Sequence, residues 1–396
     1  MDTSLAFAIV AIIIIIAFAG EFFFKKTGIP IFIFLIFTGI LLGPILNLIP
    51  REPLIPLMPI FAELTLMLVI FHGGMGLKSE SVLASGARAF VQTLIYVLSS
   101  IALIAGLGIF ILKWDILPSF IFASMIGGET TAAVIVPLSR SMKLSESATC
   151  FLTIESAINS ILSIVLFFTF VGIFNTGQAT WLFALSDVAI QFSVGIGLGL
   201  LMSLVGVFII DLFREQKFLY ILTLGLVLVT YALTTQLGGN GILAVLFFGI
   251  IVGNYTLINK LFKIRIKMGS FQTHLISFQE EISFLLETLF FVFLGLTFAT
   301  NPSLLTTNLS IGIVILLILL TTRFVATRIS TFRSDISRER RTIWLLCPQG
   351  LTPATLAILA ISLQLPLADT YLNLVIYVVI LTNIVTTIGS FLKMRE

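Results

Sequence analysis

The sequence predicts an all-α, polytopic membrane protein with about 13 transmembrane helices. Three observations carry that prediction. Hydrophobic residues make up 58% of the 396 and charged residues only 10%, far from the balance of a soluble domain. Apolar stretches of about 18 residues or more, the length needed to span hydrocarbon, recur along the whole chain. Basic residues crowd into every second connection between those stretches, the asymmetry that loops on one side of a membrane show.

The expected spans run roughly over 4–24, 29–48, 55–77, 88–112, 116–139, 146–174, 181–210, 217–237, 240–255, 277–299, 308–328, 343–365 and 370–392. The first lacks a basic leader and a small-residue cleavage site, so it reads as a span and not a signal peptide. Odd-numbered connections and the C-terminal segment hold 19 of the 22 Lys and Arg; even-numbered ones hold only Arg51 and Lys113. That places the N-terminus outside and the C-terminus in the cytoplasm. The remaining basic residue, Arg323, lies inside a span. Cys150 and Cys347 fall in or near spans and are expected as free thiols.

The chain reads as one transmembrane domain containing a repeat. The second span ends Thr38-Gly39-Ile40-Leu41-Leu42-Gly43-Pro44 and the ninth ends Phe248-Gly249-Ile250-Ile251-Val252-Gly253-Asn254, so GxxxG recurs at the same place. The third and tenth spans each carry a glutamate (Glu63, Glu287) followed by glycine (Gly73-Gly74, Gly295). The fifth and twelfth carry helix interruptions: Gly127-Gly128-Glu129-Thr130-Thr131, and a run with Pro348, Gly350 and Pro353. Residues 4–174 and 217–392 are thus two copies of a six-helix unit, with 181–210 as the linker helix. An odd number of spans separates their starts, so the second copy is inverted. Facing broken helices in inverted repeats are the architecture of carriers that work by alternating access.

Glu129 places a carboxylate mid-membrane, where an unpartnered charge costs several kcal/mol, on the order of 3 on insertion scales. After the interruption, Glu155, Ser156, Asn159 and Ser160 fall on one face of the sixth span, at four-residue spacing. That stripe suits either an interhelical hydrogen-bond seam or a site; beside a broken helix bearing an acid, the site reading is preferred. Arg323 needs a buried anion, and Glu155, Glu129 and Glu287 are available; Glu155 is favoured as a structural ion pair. Glu129 is then free to exchange a proton for a cation. Dehydration favours the neutral acid and a bound cation favours the carboxylate, so competition on one group couples the two fluxes.

At these residues the chain resembles the monovalent cation/proton antiporter superfamily, in particular its archaeal and bacterial sodium/proton exchanger branch. The resemblance covers nearly the whole chain: Thr38–Pro44, Gly127–Thr131, Glu155–Ser160, Arg323 and Gly350–Pro353, in that order. It implies the antiporter-like fold, with spans 4–6 and 11–13 as a moving core and spans 1–3 and 8–10 as a dimer-forming panel. It also implies a homodimer in the plasma membrane of a prokaryote. The cation site it implies comprises Thr130 or Thr131, Glu155, Ser156 and the position of Ser160, with Arg323 and Asn159 locking the glutamate. Combined with Glu129, the ion- and proton-binding set is Glu129, Thr130, Thr131, Glu155, Ser156, Asn159 and Ser160, with Na+ or K+ at Glu129, Glu155 and Ser156. Sodium is the favoured cation and potassium the alternative.

One departure matters. The family motif ends in an aspartate where this chain has Ser160, and Glu129 stands where related exchangers carry threonine. The acid is read as relocated from the sixth span to the fifth. With one free acid, electroneutral exchange is expected. The competing readings are an uncoupled cation pathway, a carrier for another ion, or a non-transporting sensor or subunit. No nucleophile–base set, metal-ligand cluster or cofactor motif argues for an enzyme, and the net charge of +3 reflects topology, not a nucleic-acid partner. His72 reads as an interfacial histidine or a pH sensor. The Lys/Arg-rich stretch 258–268 reads as lying on anionic lipid.

Overall fold

The structure, a computed structural model, describes residues 3–394 apart from 28, 50–53, 55, 78, 177–180, 263–268 and 299–301. The described residues are helices and connections, without strands. In chain order the first helices are α1 (Thr3–Thr27), α2 (Ile31–Ile40), α3 (Met58–Gly76) and α4 (Ser79–Gly106). A broken pair follows, α5 (Ile116–Ile126) and α6 (Ala132–Ser141), then the long α7 (Glu146–Thr176) and α8 (Trp181–Leu212). Next come α9 (Leu219–Gln236), α10 (Gly241–Gly253), the short α11 (Tyr255–Phe262) and α12 (Gly269–Leu296). The chain closes with α13 (Pro302–Ser330), a second broken pair α14 (Arg340–Leu345) and α15 (Leu351–Ser362), and α16 (Ala368–Met394).

Among the described residues, seven helices are long and apolar enough to cross a bilayer by length and composition: α3, α4, α7, α8, α9, α13 and α16. The shorter apolar segments are the middle of α1, α2 with its extension, α5, α6, α10 and α15. With α5 and α6 taken as two arms of one span and α12 added, these occupy the 13 expected span positions. The tenth span starts earlier than expected, because α12 opens at Gly269 with a polar first half carrying Glu280 and Glu281. Phe18, Phe110 and Leu212 are 74–76% exposed, which water would not favour and lipid does.

The chain divides into two compact units. The first comprises residues 1–63, 85–167 and 285–396, and contains both broken spans. Within it α13, α15 and α5 pack with α16. Gly39 of α2 meets Gly295 of α12 so closely that a Cβ on Gly39 would lie 2.8 Å from the Gly295 Cα. α2 passes into a π-helical turn, Leu41–Ile45, around Pro44, whose missing N–H breaks the α-helical ladder.

The second unit comprises residues 64–84 and 168–284. Here α8, α9 and α10 form a tight group, with Gly199 backed against the Ala244 backbone. The Asn240 side chain caps α10 by accepting the Leu243 N–H at 2.9 Å. Gly249 and Gly253 of α10 lie against Phe71, Met75 and Gly74 of α3. The GxxxG of the second span therefore meets the glycine of the tenth, and that of the ninth meets the glycine of the third. In hydrocarbon such close backbone approach, not apolar burial, holds helices together. Of the basic stretch 258–268, Lys260 is an exposed residue near the end of α11, while 263–268 lie outside the described residues.

The small-residue seam gives a paired test. A Cβ at Gly74 would lie 2.7 Å from the Leu246 carbonyl oxygen, whereas one at the neighbouring Gly73 meets nothing within 4 Å. Gly74→Ala is expected to lower the melting temperature in detergent, the helix displacement costing about 1–3 kcal/mol. Gly73→Ala should leave it unchanged.

Candidate ion-binding site

Both interruptions are built by residues that cannot continue a helix. α5 stops at Gly127, and Gly128 adopts φ +81°, a left-handed conformation that favours glycine. Space demands glycine as well, since a Cβ at Gly128 would stand 2.8 Å from the Val97 Cα. Residues 346–350 run extended through Pro348 before α15 begins. Gly350 packs on Thr131, whose side-chain atoms lie 3.0–3.2 Å from where a Cβ on Gly350 would stand. The two breaks therefore cross in contact. They also satisfy one another: the Thr131 N–H donates to the Pro348 carbonyl at 2.8 Å, and the Gln349 Nε2 donates to the Ile126 carbonyl at 2.6 Å. Helix ends exposed inside a membrane need such partners because no water is at hand.

The polar face of α7 lines the first break. The Ser156 hydroxyl donates to the Thr130 carbonyl at 2.6 Å and the Asn159 Nδ2 to the Thr130 Oγ1 at 2.8 Å. The Ser160 hydroxyl reaches the Glu129 Oε1 at 3.4 Å. The Gly350 N–H and the Thr352 hydroxyl, at the start of α15, also face the Glu129 carboxylate. Glu129 is 1% exposed, and its Oε2 completes no hydrogen bond. Asn159 Oδ1 and Ser163 Oγ, on the same face of α7, are likewise buried without a partner. A carboxylate, an amide carbonyl and hydroxyls, all oxygen donors, suit a hard monovalent cation or an exchanging proton.

Sequence reasoning missed the counterpart on α16. Thr382, Asn383 and Thr386 line the second break as α7 lines the first. The Thr382 Oγ1 accepts the Gln349 N–H and the Thr386 Oγ1 the Cys347 N–H, each at 3.2 Å. The Asn383 Nδ2 donates to the Gln349 carbonyl at 2.7 Å. The signal was present as polar residues three or four apart in an apolar span, the pattern already recognised on α7.

Glu155 pairs with Arg323, the partner favoured for it from the sequence. Arg323 grips it with two hydrogen bonds, Nη1 to Oε1 at 2.6 Å and Nη2 to Oε2 at 3.1 Å, with both side chains fully buried. The Gln92 Nε2 adds a longer contact to Oε1 at 3.4 Å, and Ser330 and Thr327 hold Gln92 in turn. The Tyr96 ring covers the guanidinium at 5.1 Å. Both oxygens of Glu155 are thus engaged by the guanidinium in this conformation. Gln92 and Tyr96 were not anticipated from the sequence; each reads there as an ordinary residue of the fourth span.

Of the other residues weighed, Glu287 faces Glu21 of α1, not Arg323. His72 belongs to the second unit, where Glu280 is its charged neighbour. Cys150 and Cys347 are free thiols. No cluster of His, Cys, Asp and Glu suited to a bound metal occurs among the described residues.

The lock makes a stability prediction. Arg323→Met leaves a buried carboxylate unpaired and is expected to cost about 3–5 kcal/mol, read as a lowered melting temperature in detergent. The double variant Arg323→Met/Glu155→Leu removes both charges and should recover most of that loss. A double variant no better than the single would show that the pair does not act as a unit.

Comparison with known proteins agrees with the arrangement. Residues 9–394 match the family described as sodium/hydrogen exchanger, transmembrane. The chain is 27% identical over 332 residues to the K(+)/H(+) antiporter NhaP2 of Shewanella baltica (strain OS223), covering 82% of this chain and 55% of that protein. It is 30% identical over 188 residues to the Na(+)/H(+) antiporter ApNhaP of Aphanothece halophytica, covering 45% of this chain and 33% of that one. The chain thus spans about half the length of the NhaP2 relatives it matches. Its fold is that of the sodium proton antiporter MjNhaP1 from Methanocaldococcus jannaschii, with a TM-score of 0.83 at 19% identity, over 98% of this chain and 100% of that one. With the family pattern running across almost its whole length, this chain belongs to the transmembrane sodium/hydrogen exchanger family.

Proposed function

We propose that this protein exchanges a monovalent cation for protons by alternating access, with Glu129 as the carboxylate that carries either ion. The single observation that carries this reading is the buried Glu129 with one oxygen unpartnered at the crossing of two broken helices. Ser160 and the Asn159 carbonyl supply neutral oxygens beside it, while Ser156 and Thr130 hold the extended segment in place. A proton or a desolvated cation neutralises the same carboxylate, so occupation by one excludes the other, and movement of the emptied, charged site through a dry core is disfavoured. Glu155 takes no part in this competition because Arg323 already balances it.

Sodium is the favoured cation and potassium the alternative; relatives bear both names. A homodimer in a prokaryotic plasma membrane, with the N-terminus outside, completes the proposal, as does the division into an inverted pair of repeats. With one exchanging acid, each cation leaves for one proton and no net charge moves.

The test is cation-driven proton movement in liposomes loaded with a pH dye, challenged with sodium and then potassium. Glu129→Gln should reduce the signal to that of protein-free vesicles. Proton movement that survives in Glu129→Gln would reject the assignment. Ser160→Ala removes one neutral oxygen and should weaken apparent cation affinity about 5–10-fold, the worth of roughly 1–1.4 kcal/mol. Charge movement on solid-supported membranes checks the stoichiometry: the natural protein should give no sustained current. Ser160→Asp, which supplies a second acid, should introduce one if it retains exchange.

A further inference from the structure

The outer face of α13 carries a feature that ion exchange does not use. Phe324, Val325, Arg328, Ile329 and Phe332 line a groove of about 430 Å³ on that face. Spacing puts Phe324, Val325, Arg328 and Ile329 on one side of the helix, Phe332 lies in the turn that follows it, and all five are exposed. The opposite side of the same helix is buried and presents Arg323, Thr327 and Ser330 to the lock. The groove is shallow and open on its outer side, and is apolar except for one guanidinium.

That guanidinium has no ion-pair partner among the described residues. A second follows in the turn after the helix: Arg333 lies over the Phe332 ring, which lines the groove, its Cζ 5.2 Å from the ring centre. The carboxylates of the following turn are already committed. Asp335 is held below the usual carboxylate range by the Ser147 hydroxyl and by Arg88, which pairs with it at 2.9 Å. Glu339 accepts from the Ser145 N–H at 2.8 Å and the Ser145 hydroxyl at 2.6 Å. An apolar helix face with Arg328 on it and Arg333 just beyond, neither ion-paired among the described residues, therefore offers a place for an anion from outside the chain.

We propose that this groove is a site for an anionic phospholipid, its acyl chain along Phe324, Val325 and Ile329 and its phosphate at Arg328 and Arg333. Charge complementarity and amphipathic shape select this occupant. Guanidinium binds phosphate with paired hydrogen bonds, and basic residues at the membrane boundary attract anionic headgroups. A peptide lying in the groove would leave its backbone groups unpartnered in hydrocarbon.

The test is native mass spectrometry of the delipidated full chain titrated with phosphatidylglycerol, with phosphatidylcholine, and with the glycerophosphoglycerol headgroup alone. Preferential binding of the first phosphatidylglycerol is expected, weakened about five-fold by Arg328→Gln and again by Arg328→Gln/Arg333→Gln, the worth of one basic residue each at an anionic surface. Lys143→Gln, an exposed cation on another connection, should change nothing. Phosphatidylglycerol should also raise the melting temperature of the natural protein more than that of the double variant.

Equal binding of phosphatidylglycerol by the natural and double-variant proteins would overturn the site. So would equal competition by the bare headgroup, which would mark a free-anion site, or loss of a dimer in the Arg328 variants, which would make the face a contact between copies.

Discussion

In hydrocarbon a backbone N–H or C=O without a partner costs several kcal/mol, and two interrupted helices expose many of them at once. The rest of this structure follows from how that demand is met. The two breaks are laid across each other, so that Thr131 gives its N–H to Pro348 and Gln349 gives its amide to Ile126. Such reciprocity fixes the breaks in contact, and contact is why Gly350 sits so close to Thr131, while Gly128 is held to glycine by its left-handed backbone and by the α4 backbone at Val97. Side chains from α7 and α16 then complete what the crossing leaves open. The Glu129 carboxylate is held where helices begin and end, among N–H groups and hydroxyls that a continuous helix would not present.

Two buried glutamates thus have different surroundings. Glu155 and Glu129 both lie among the residues of the crossing, and both are almost wholly out of solvent. Glu155 meets a guanidinium whose planar fork matches both of its oxygens, with Gln92 and Tyr96 closing the remaining sides. Glu129 meets only neutral donors and retains an oxygen with no partner. A compensated charge in a dry interior is structural; an uncompensated one invites an ion. The Ser160 hydroxyl of α7 is one of those neutral donors, 3.4 Å from the Glu129 Oε1.

Much of this was legible in the sequence, because membrane segments are governed by length and polarity, which require no knowledge of tertiary contacts. Thr38–Pro44 and Phe248–Asn254 announced close helix packing, though not that each would meet a glycine of the other half's third span. Gly127–Thr131 and Pro348–Pro353 announced the breaks, and four-residue spacing announced the polar face of α7. What escaped was long-range or chemically quiet. Gln92 and Tyr96 lie about sixty positions from Glu155 in sequence and carry no charge to draw notice. Thr382, Asn383 and Thr386 lacked an acid, so their helical spacing passed as ordinary span composition. Spacing shows which side chains share a face, and the need of a buried guanidinium for an anion singled out Glu155, but the two-pronged geometry of the pair is visible only in three dimensions.

The α7 and α16 faces give the last step. Each bears an asparagine that donates to the facing break, Asn159 to the Thr130 hydroxyl and Asn383 to the Gln349 carbonyl. Each bears hydroxyls on either side of that asparagine. The resemblance ends at charge. The first break carries Glu129, whereas the second carries Gln349 at its centre, an isosteric amide with no proton to exchange. Two negative charges so close together would repel one another and would need two counter-ions in a dry interior. One acid on one side of a near-symmetric crossing avoids that cost. It leaves the second break neutral, holding the first in shape, with a single carboxylate at the crossing of the two breaks.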